Sequence, residues 1–223
     1  RSRHDALPIL RAGLYWIIDP LCGWSYGALP LMNRIAQHFP HQPILSGGLF
    51  IGANRRTLNP EWVAHVNEHD ARIATLTGMK FGDRYHQMLL EDSTLMLDSL
   101  PATRGLLAAQ RFAKPGEDLN YLNAVQRAWY VDGQNITQTA VVNQMLEQAI
   151  SPGVKLEQIT ESEALESIQH ARMLMAMAKG QGFPTAVIID TDGQCTLLPV
   201  AQYYGQPDAF LALVKPQLTR IHR

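Results

Sequence analysis

The sequence predicts an α/β chain in which a small sheet-and-helix unit is interrupted by a long helical block. Three observations carry this. A strand pattern over Gly13 to Ile18 runs through a turn into a segment whose apolar residues Leu29, Met32, Ile35, Ala36 and Phe39 recur at helical spacing. Helical periods then follow one another for roughly 120 residues without a convincing strand. After them, the apolar run Thr185 to Ile189, the turn Asp190-Thr191-Asp192-Gly193 and the stretch Gln194 to Val200 read as a hairpin.

Arg1 to Leu10 is charged and then proline-interrupted, a loosely held lead-in. Gly13 to Ile18 mixes aromatic and β-branched residues, as a central strand does. The helix after it should end near Phe39-Pro40, because proline disfavours helix in the residue before it. Pro43 to Leu45 is a short second strand, followed by a loop rich in glycine from Gly47 to Gly52.

The helical block opens at Asn59-Pro60-Glu61, a capping residue, a proline at the first position and an acid in the first turn. Its helices are predicted over Trp62 to Leu76, Gly82 to Leu90, Ser99 to Phe112, a stretch capped by Asp118, Thr137 to Ile150, and Glu161 to Lys179. A last helix, Ala209 to Leu218, follows the hairpin and starts at Pro207-Asp208. The expected organisation is a sheet unit from 11–57 and 180–223, with an inserted helical domain over 58–179.

Composition excludes several classes of function. At 223 residues, 46% hydrophobic and 17% charged, the chain is an ordinary globular protein. A formal net charge of −1 gives no basic face for nucleic acid or an anionic membrane surface. No apolar run approaches the ~18 residues of a membrane span. Cys22 and Cys195 are too few for a disulfide scaffold, and a bridge between them would consume the thiol at the helix start. The chain begins Arg1-Ser2-Arg3, so the lack of a leader in it does not fix the compartment.

Chemistry concentrates at Asp19-Pro20-Leu21-Cys22-Gly23-Trp24-Ser25-Tyr26-Gly27. A cysteine that opens a helix faces unpaired N–H groups and the positive end of the macrodipole. Both favour thiolate, so the sequence predicts a thiol pKa below the ~8.5 of a free cysteine. Ser25 stands where a Cys-x-x-Cys motif has its second thiol. It can donate a hydrogen bond to Cys22, but an alcohol neither attacks nor forms a disulfide. Asp19 is either a turn residue or, if buried, a proton acceptor during exchange. Trp24 reads as a substrate-contact surface and Tyr26 as a core aromatic.

Other candidates have plainer readings. Cys195 on the return strand is a packing thiol. His65 and His69 are spaced for a shared metal, but no further ligand completes a set, so they read as surface histidines and no metal site is expected. Met173, Met175 and Met177 read as adaptable packing near the domain junction.

The motif Asp19 to Gly27 resembles that of DsbA-like proteins of the FrnE type in the thioredoxin superfamily, with Ser25 in place of the second cysteine. The resemblance extends through Ser99-Leu100-Pro101-Ala102-Thr103, Tyr130 to Ile136 and Gly180-Gln181-Gly182-Phe183-Pro184-Thr185. It implies a thioredoxin fold with an inserted all-helical domain, the arrangement already read from the pattern. It implies a cis Pro184 beside Cys22, with Phe183 and Thr185 completing a substrate-binding turn whose backbone pairs with an extended peptide. Phe183 is bulkier than the residues usual there.

The function implied is thiol–disulfide oxidoreductase or isomerase chemistry through Cys22 alone, on protein or peptide thiols and disulfides. It needs no bound cofactor; glutathione would serve as a co-substrate that resolves the mixed disulfide, and the expected compartment is the cytoplasm rather than the periplasm. Ser25 is open to two accounts, a natural single-thiol site or an exchange that traps mixed disulfides. Two other classes share the architecture: kappa-class glutathione transferases and isomerases, which use serine in the active loop, and non-catalytic peptide-binding modules.

Overall fold

The computed structural model describes residues 10–223; the lead-in expected over Arg1 to Leu10 lies, except for Leu10, outside them. The central sheet has four strands in the order β2-β1-β5-β6, with β1 at Gly13–Ile18, β2 at Ile44–Ser46, β5 at Thr185–Ile189 and β6 at Cys195–Leu197. β1 runs parallel to β2, pairing Trp16 with Ile44, and antiparallel to β5, pairing Tyr15 with Val187. Every residue of β1 and β5 is buried. Such continuous apolar strands are those of a sheet covered on both faces.

The alternation of side chains divides those faces. Tyr15, Ile17, Val187 and Ile189 pack with Ala171 and Leu174 of helix α7, Glu161–Met177. Leu14, Trp16, Ile18, Ala186 and Ile188 join the larger core, with Ile35 of α2, Leu29–Ala36, and Phe210 of α8, Pro207–Ile221. The sheet, with α7 on one face and α2 and α8 on the other, is a thioredoxin fold; the helices between β2 and α7 are its insertion, so the inserted block ends before α7 rather than at 179.

The predicted helix after β1 is two helices: α1, Gly23–Gly27, and α2. Pro30 near the start of α2 has no N–H to give to the preceding turn, so the chain re-starts at Ala28. β2 ends one residue later than predicted, at Ser46.

In the insertion, α3 spans Pro60–Thr77, with Asn59 Oδ1 accepting from Trp62 N at 2.8 Å and Gly78 closing it at φ 70°. The helix expected over Gly82 to Leu90 is present as a short helical segment that is π-helical over Tyr85–Leu89. Gly82 presses against the Val131 carbonyl, where an added Cβ would lie 2.0 Å from the oxygen, and Tyr85 and Leu89 are held by the core. α4 spans Leu100–Phe112, α5 Glu117–Tyr130 and α6 Thr139–Ala149. Gly116 at φ 91° takes the cap position expected of Asp118, which falls in the first turn of α5.

A two-stranded pair, β3 at Arg56–Thr57 and β4 at Met96–Leu97, interrupts the stretch read as wholly helical. Two-residue strands carry no period, which is why the sequence hides them. The return strand is shorter than predicted, because a 3-10 turn at Val200–Gln202 follows it. No helix among the described residues is long and apolar enough to cross a membrane.

Candidate active site

Cys22 caps α1 with extended backbone (φ −98°, ψ 121°), and its N–H donates to the Asp19 carbonyl at 3.0 Å. Asp19 and Ser25 are fully buried, while Cys22 and Trp24 are half-buried. The thiol donates to the Phe183 carbonyl across 3.7 Å, so the turn before β5 lies beside the helix start. The Phe183–Pro184 bond is cis. The Phe183 ring lies against Gly47, where an added Cβ would be 2.0 Å from its Cε1; a residue of this bulk fits because Gly47 has no side chain. Thr185 is buried and donates to the Gly182 carbonyl at 2.6 Å, tying the turn to itself.

The predicted lowering of the Cys22 pKa is corrected. Burial pushes the thiol up and the nearby Asp19 carboxylate pushes it further; N–H groups of Ser25 and Trp24 and the Ser25 hydroxyl pull it down without prevailing. The reason lies in the fold. α1 is only five residues long, so few peptide dipoles add up at its start. The Phe183 carbonyl also favours the protonated form, which has a hydrogen to give it.

Asp19 is more than a turn residue. Its Oδ1 accepts from Leu21 N at 2.9 Å and from the Ser99 hydroxyl at 3.0 Å, and its Oδ2 accepts from Leu49 N at 2.8 Å. Its own N–H donates to Ser25 Oγ at 3.1 Å. Burial outweighs those bonds and the nearby Arg172 and raises the carboxyl to about 6. Near neutral pH such a group can take up or release a proton.

Sequence reasoning passed over the residues that brace Asp19. Ser99 reads in the sequence only as the opening of a helix, yet its hydroxyl bonds Asp19 and accepts from Phe50 N at 3.1 Å instead of capping α4. Arg172 on α7 donates to the carbonyls of Gly47 and Gly48 at 2.9 and 2.7 Å, fixing the loop that supplies Leu49 N. These contacts join segments far apart in sequence, and no local spacing marks them.

Trp24 separates two hollows. One is a cleft of about 460 Å³ bounded by Phe183, Pro184, Thr185 and Leu197; the other is a cavity of about 230 Å³ beside Cys22, facing the insertion. Its indole N–H donates to His69 Nδ1 at 3.1 Å, Tyr204 packs its ring at 5.1 Å, and the Arg72 guanidinium lies 5.4 Å from its centre. Trp24 therefore touches both hollows but is held by its neighbours. His69 is half-buried at the site, which corrects its reading as a surface residue; His65 is exposed.

The cavity also holds Asp70 and Tyr85. Tyr85 donates to Asp70 Oδ2 at 2.6 Å, and burial raises the Asp70 carboxyl to about 7. Tyr26 is the core aromatic expected, stacked on Tyr130 at 4.7 Å and donating to the Lys80 carbonyl. One sequence signal could have found Asp70. It interrupts the stripe Val66–Asp70–Ile73 of α3, at a position an apolar residue would take.

Cys22 and Cys195 are both free thiols. Cys195 packs at the edge of the smaller core on the α7 face of the sheet. Met175 packs there too, whereas Met173 and Met177 are exposed. Among the described residues, no three His, Cys, Asp or Glu side chains gather as a metal-ligand set.

A thioredoxin sheet, a helical insertion and a cysteine opening the first helix define a class built for thiol–disulfide exchange. The solved structures agree. The cytosolic disulfide reductase DsbM from Pseudomonas aeruginosa is 31% identical, with 92% of this chain and 98% of that chain covered and a TM-score of 0.81. A second structure of DsbM, with GSH, matches over the same shares at 31% identity and a TM-score of 0.77. A protein from Nitrosomonas europaea, described as a candidate protein disulfide isomerase, shares the fold at 22% identity and a TM-score of 0.72, over 95% of this chain and 99% of that one. No family model matches the chain, and no curated protein matches it. The chain belongs to the DsbA-like disulfide reductases and is a thiol–disulfide oxidoreductase.

Proposed function

We propose that this enzyme exchanges disulfides through Cys22 alone, with glutathione or a second cysteine of the substrate as the resolving thiol. The observation that carries the reading is Ser25. It occupies the place of a second motif thiol, fully buried, with its hydroxyl holding the Asp19 N–H at 3.1 Å. The other thiol, Cys195, belongs to the core on the α7 face.

The steps balance without an external oxidant. Cys22 loses its proton, with the nearby Asp19 as the group that takes it up, and the thiolate attacks one sulfur of a disulfide RS–SR′. A Cys22–S–S–R bond forms, the S–S bond of the substrate breaks, and R′S⁻ leaves to be protonated. A glutathione thiolate then attacks the R sulfur, giving GS–SR and freeing Cys22. The second thiol of a substrate does the same intramolecularly, which isomerises it.

Trp24, Phe183, Pro184 and Thr185 form the substrate surface, the backbone of Phe183 pairing with an extended peptide. The GSH present in one DsbM structure supports glutathione as co-substrate, and that protein's description as cytosolic supports a cytoplasmic setting. The motif from Asp19 to Gly27 supports placement in the FrnE-type branch. Intact mass spectrometry tests the mechanism. Oxidised glutathione should leave an adduct on Cys22 that lasts until thiol is added, and Ser25→Cys should make that adduct transient. Equal release from both proteins without added thiol would refute the single-thiol route.

A further inference from the structure

The cavity on the insertion side of Trp24 has a chemistry of its own. At about 230 Å³ it exceeds the ~150 Å³ apolar cavity that holds a benzene ring, so a group between phenyl and indole in size fits it. Phe50, Leu58, Trp62, Val66 and Trp129 supply apolar wall, and Cys22 lies at its edge. Two polar atoms in the wall stand without partners among the described residues. Trp62 Nε1 is buried and donates to nothing. Asp70 takes the Tyr85 hydroxyl on Oδ2 but no hydrogen bond on Oδ1.

The lining contains no lysine or arginine. Its basic neighbours are His65, His69, which accepts the Trp24 indole N–H, and Arg56, whose guanidinium lies 3.8 Å from the Trp62 ring centre; the mainly apolar wall suits the other half of the disulfide better than the paired carboxylates of glutathione. An extended peptide pairing with Phe183 would lie in the cleft across Trp24, which leaves this cavity to a compact group attached close to the reacting sulfur. A buried carboxyl with a free oxygen suits an N–H or ammonium donor.

We propose that this cavity is a specificity subsite for small disulfides carrying an aryl-sized group and an amine near the sulfur, the ring enclosed by Trp62 and Trp129 and the amine bonded to Asp70 Oδ1. The subsite rests on the single-thiol reading and names its substrate class. The attack remains that of Cys22 on the bound disulfide, with the aryl half retained on Cys22 and the other half leaving as a thiol.

The test compares rates of adduct formation in the full chain with the disulfide of N-benzylcysteamine, its benzyl-ether analogue lacking the amine, and bis(2-hydroxyethyl) disulfide. The aryl amine should react at least about tenfold faster than the hydroxyethyl compound, the discrimination that filling an apolar pocket supplies. Val66→Trp should collapse that ratio by filling the cavity, and Asp70→Asn should collapse the preference for the amine over the ether. Benzylamine should slow the aryl reaction in the unaltered chain, a readout that does not depend on any variant folding. Equal rates for aryl and hydroxyethyl disulfides, or no protection by benzylamine, would overturn the subsite. Failure of Cys22 to form an adduct with any of them would overturn the single-thiol reading instead.

Discussion

The Cys22 thiol donates to the Phe183 carbonyl across 3.7 Å, so a thiol already favoured by burial has an acceptor for its hydrogen in the resting enzyme. A substrate N–H that pairs with Phe183 competes for the same oxygen, so substrate binding and thiol release are coupled at one atom. Burial and the Asp19 carboxylate act in the same direction. The expected midpoint for alkylation of Cys22 against pH therefore lies above the ~8.5 of a free thiol. Measured in a Cys195→Ala background, Asp19→Asn should move it down by removing a neighbouring negative charge. A midpoint below the free-thiol value would show that the α1 amides win after all.

The bond from Trp24 Nε1 to His69 Nδ1 requires that nitrogen to be unprotonated. Burial, then His65 and Arg72, lowers the His69 pKa below its usual value, so the fold favours the neutral ring. The sign follows. This bond is intact at neutral pH, and its stabilisation is lost as pH falls below the unfolded-state value of ~6.5 and through the lower folded one. A fluorescence titration should show an acid transition that is absent in Trp24→Phe and in His69→Phe. A transition that survives in His69→Phe would assign it to another of the four tryptophans or to another group.

Much of the scaffold is legible because its signals are local. Asn59, Pro60 and Gly78 bound α3 by capping chemistry, and Asp190 accepts from Asp192 N and Gln194 N in the hairpin that its sequence announces. Cys22, Ser25 and Asp19 are legible for the same reason, being one contiguous motif. What stayed hidden is tertiary. Ser99, Leu49 and Arg172 reach Asp19 or its loop from three separate elements, and the π-helical winding of Tyr85–Leu89 carries no period that the sequence would show. The thiol was misjudged because burial and a carbonyl from the far end of the chain oppose the local helix effect.

Gly23, the residue after the nucleophile, is required by contact rather than by backbone freedom. An added Cβ would sit 2.8 Å from Asp70 Oδ1 and 3.1 Å from Ile73 Cδ1. Neither neighbour is a loose chain end, since Asp70 is tied to Tyr85 and Ile73 is fully buried. Gly23→Ala should cost about 1–3 kcal/mol, the usual range for forcing an extra carbon into contacts this close. Urea unfolding measures it directly. A loss of only a few tenths would show that α3 can retreat from α1 without strain.

Asp70 makes the fold sensitive to alkali in a way the sequence would not suggest. Burial raises its carboxyl to about 7 from an ordinary value of 3.8, so the folded state binds a proton that the unfolded state has already lost. Stability contributed by that proton is full below the unfolded pKa and declines as pH rises, until it is gone above the folded one. Asp70→Asn keeps an oxygen for the Tyr85 hydroxyl and removes the titration. The variant should gain on the unaltered chain by about 2 kcal/mol between about pH 5 and about pH 8, a figure of the order the linkage relation gives. Parallel urea denaturation at the two pH values reads the difference; groups away from Asp70 cancel between the two proteins, and Tyr85 and Tyr130, which Asp70 pushes further up, stay protonated across this range. A gap that stays constant with pH would mean that Asp70 titrates like an exposed carboxylate and that its bond with Tyr85 and its burial offset each other.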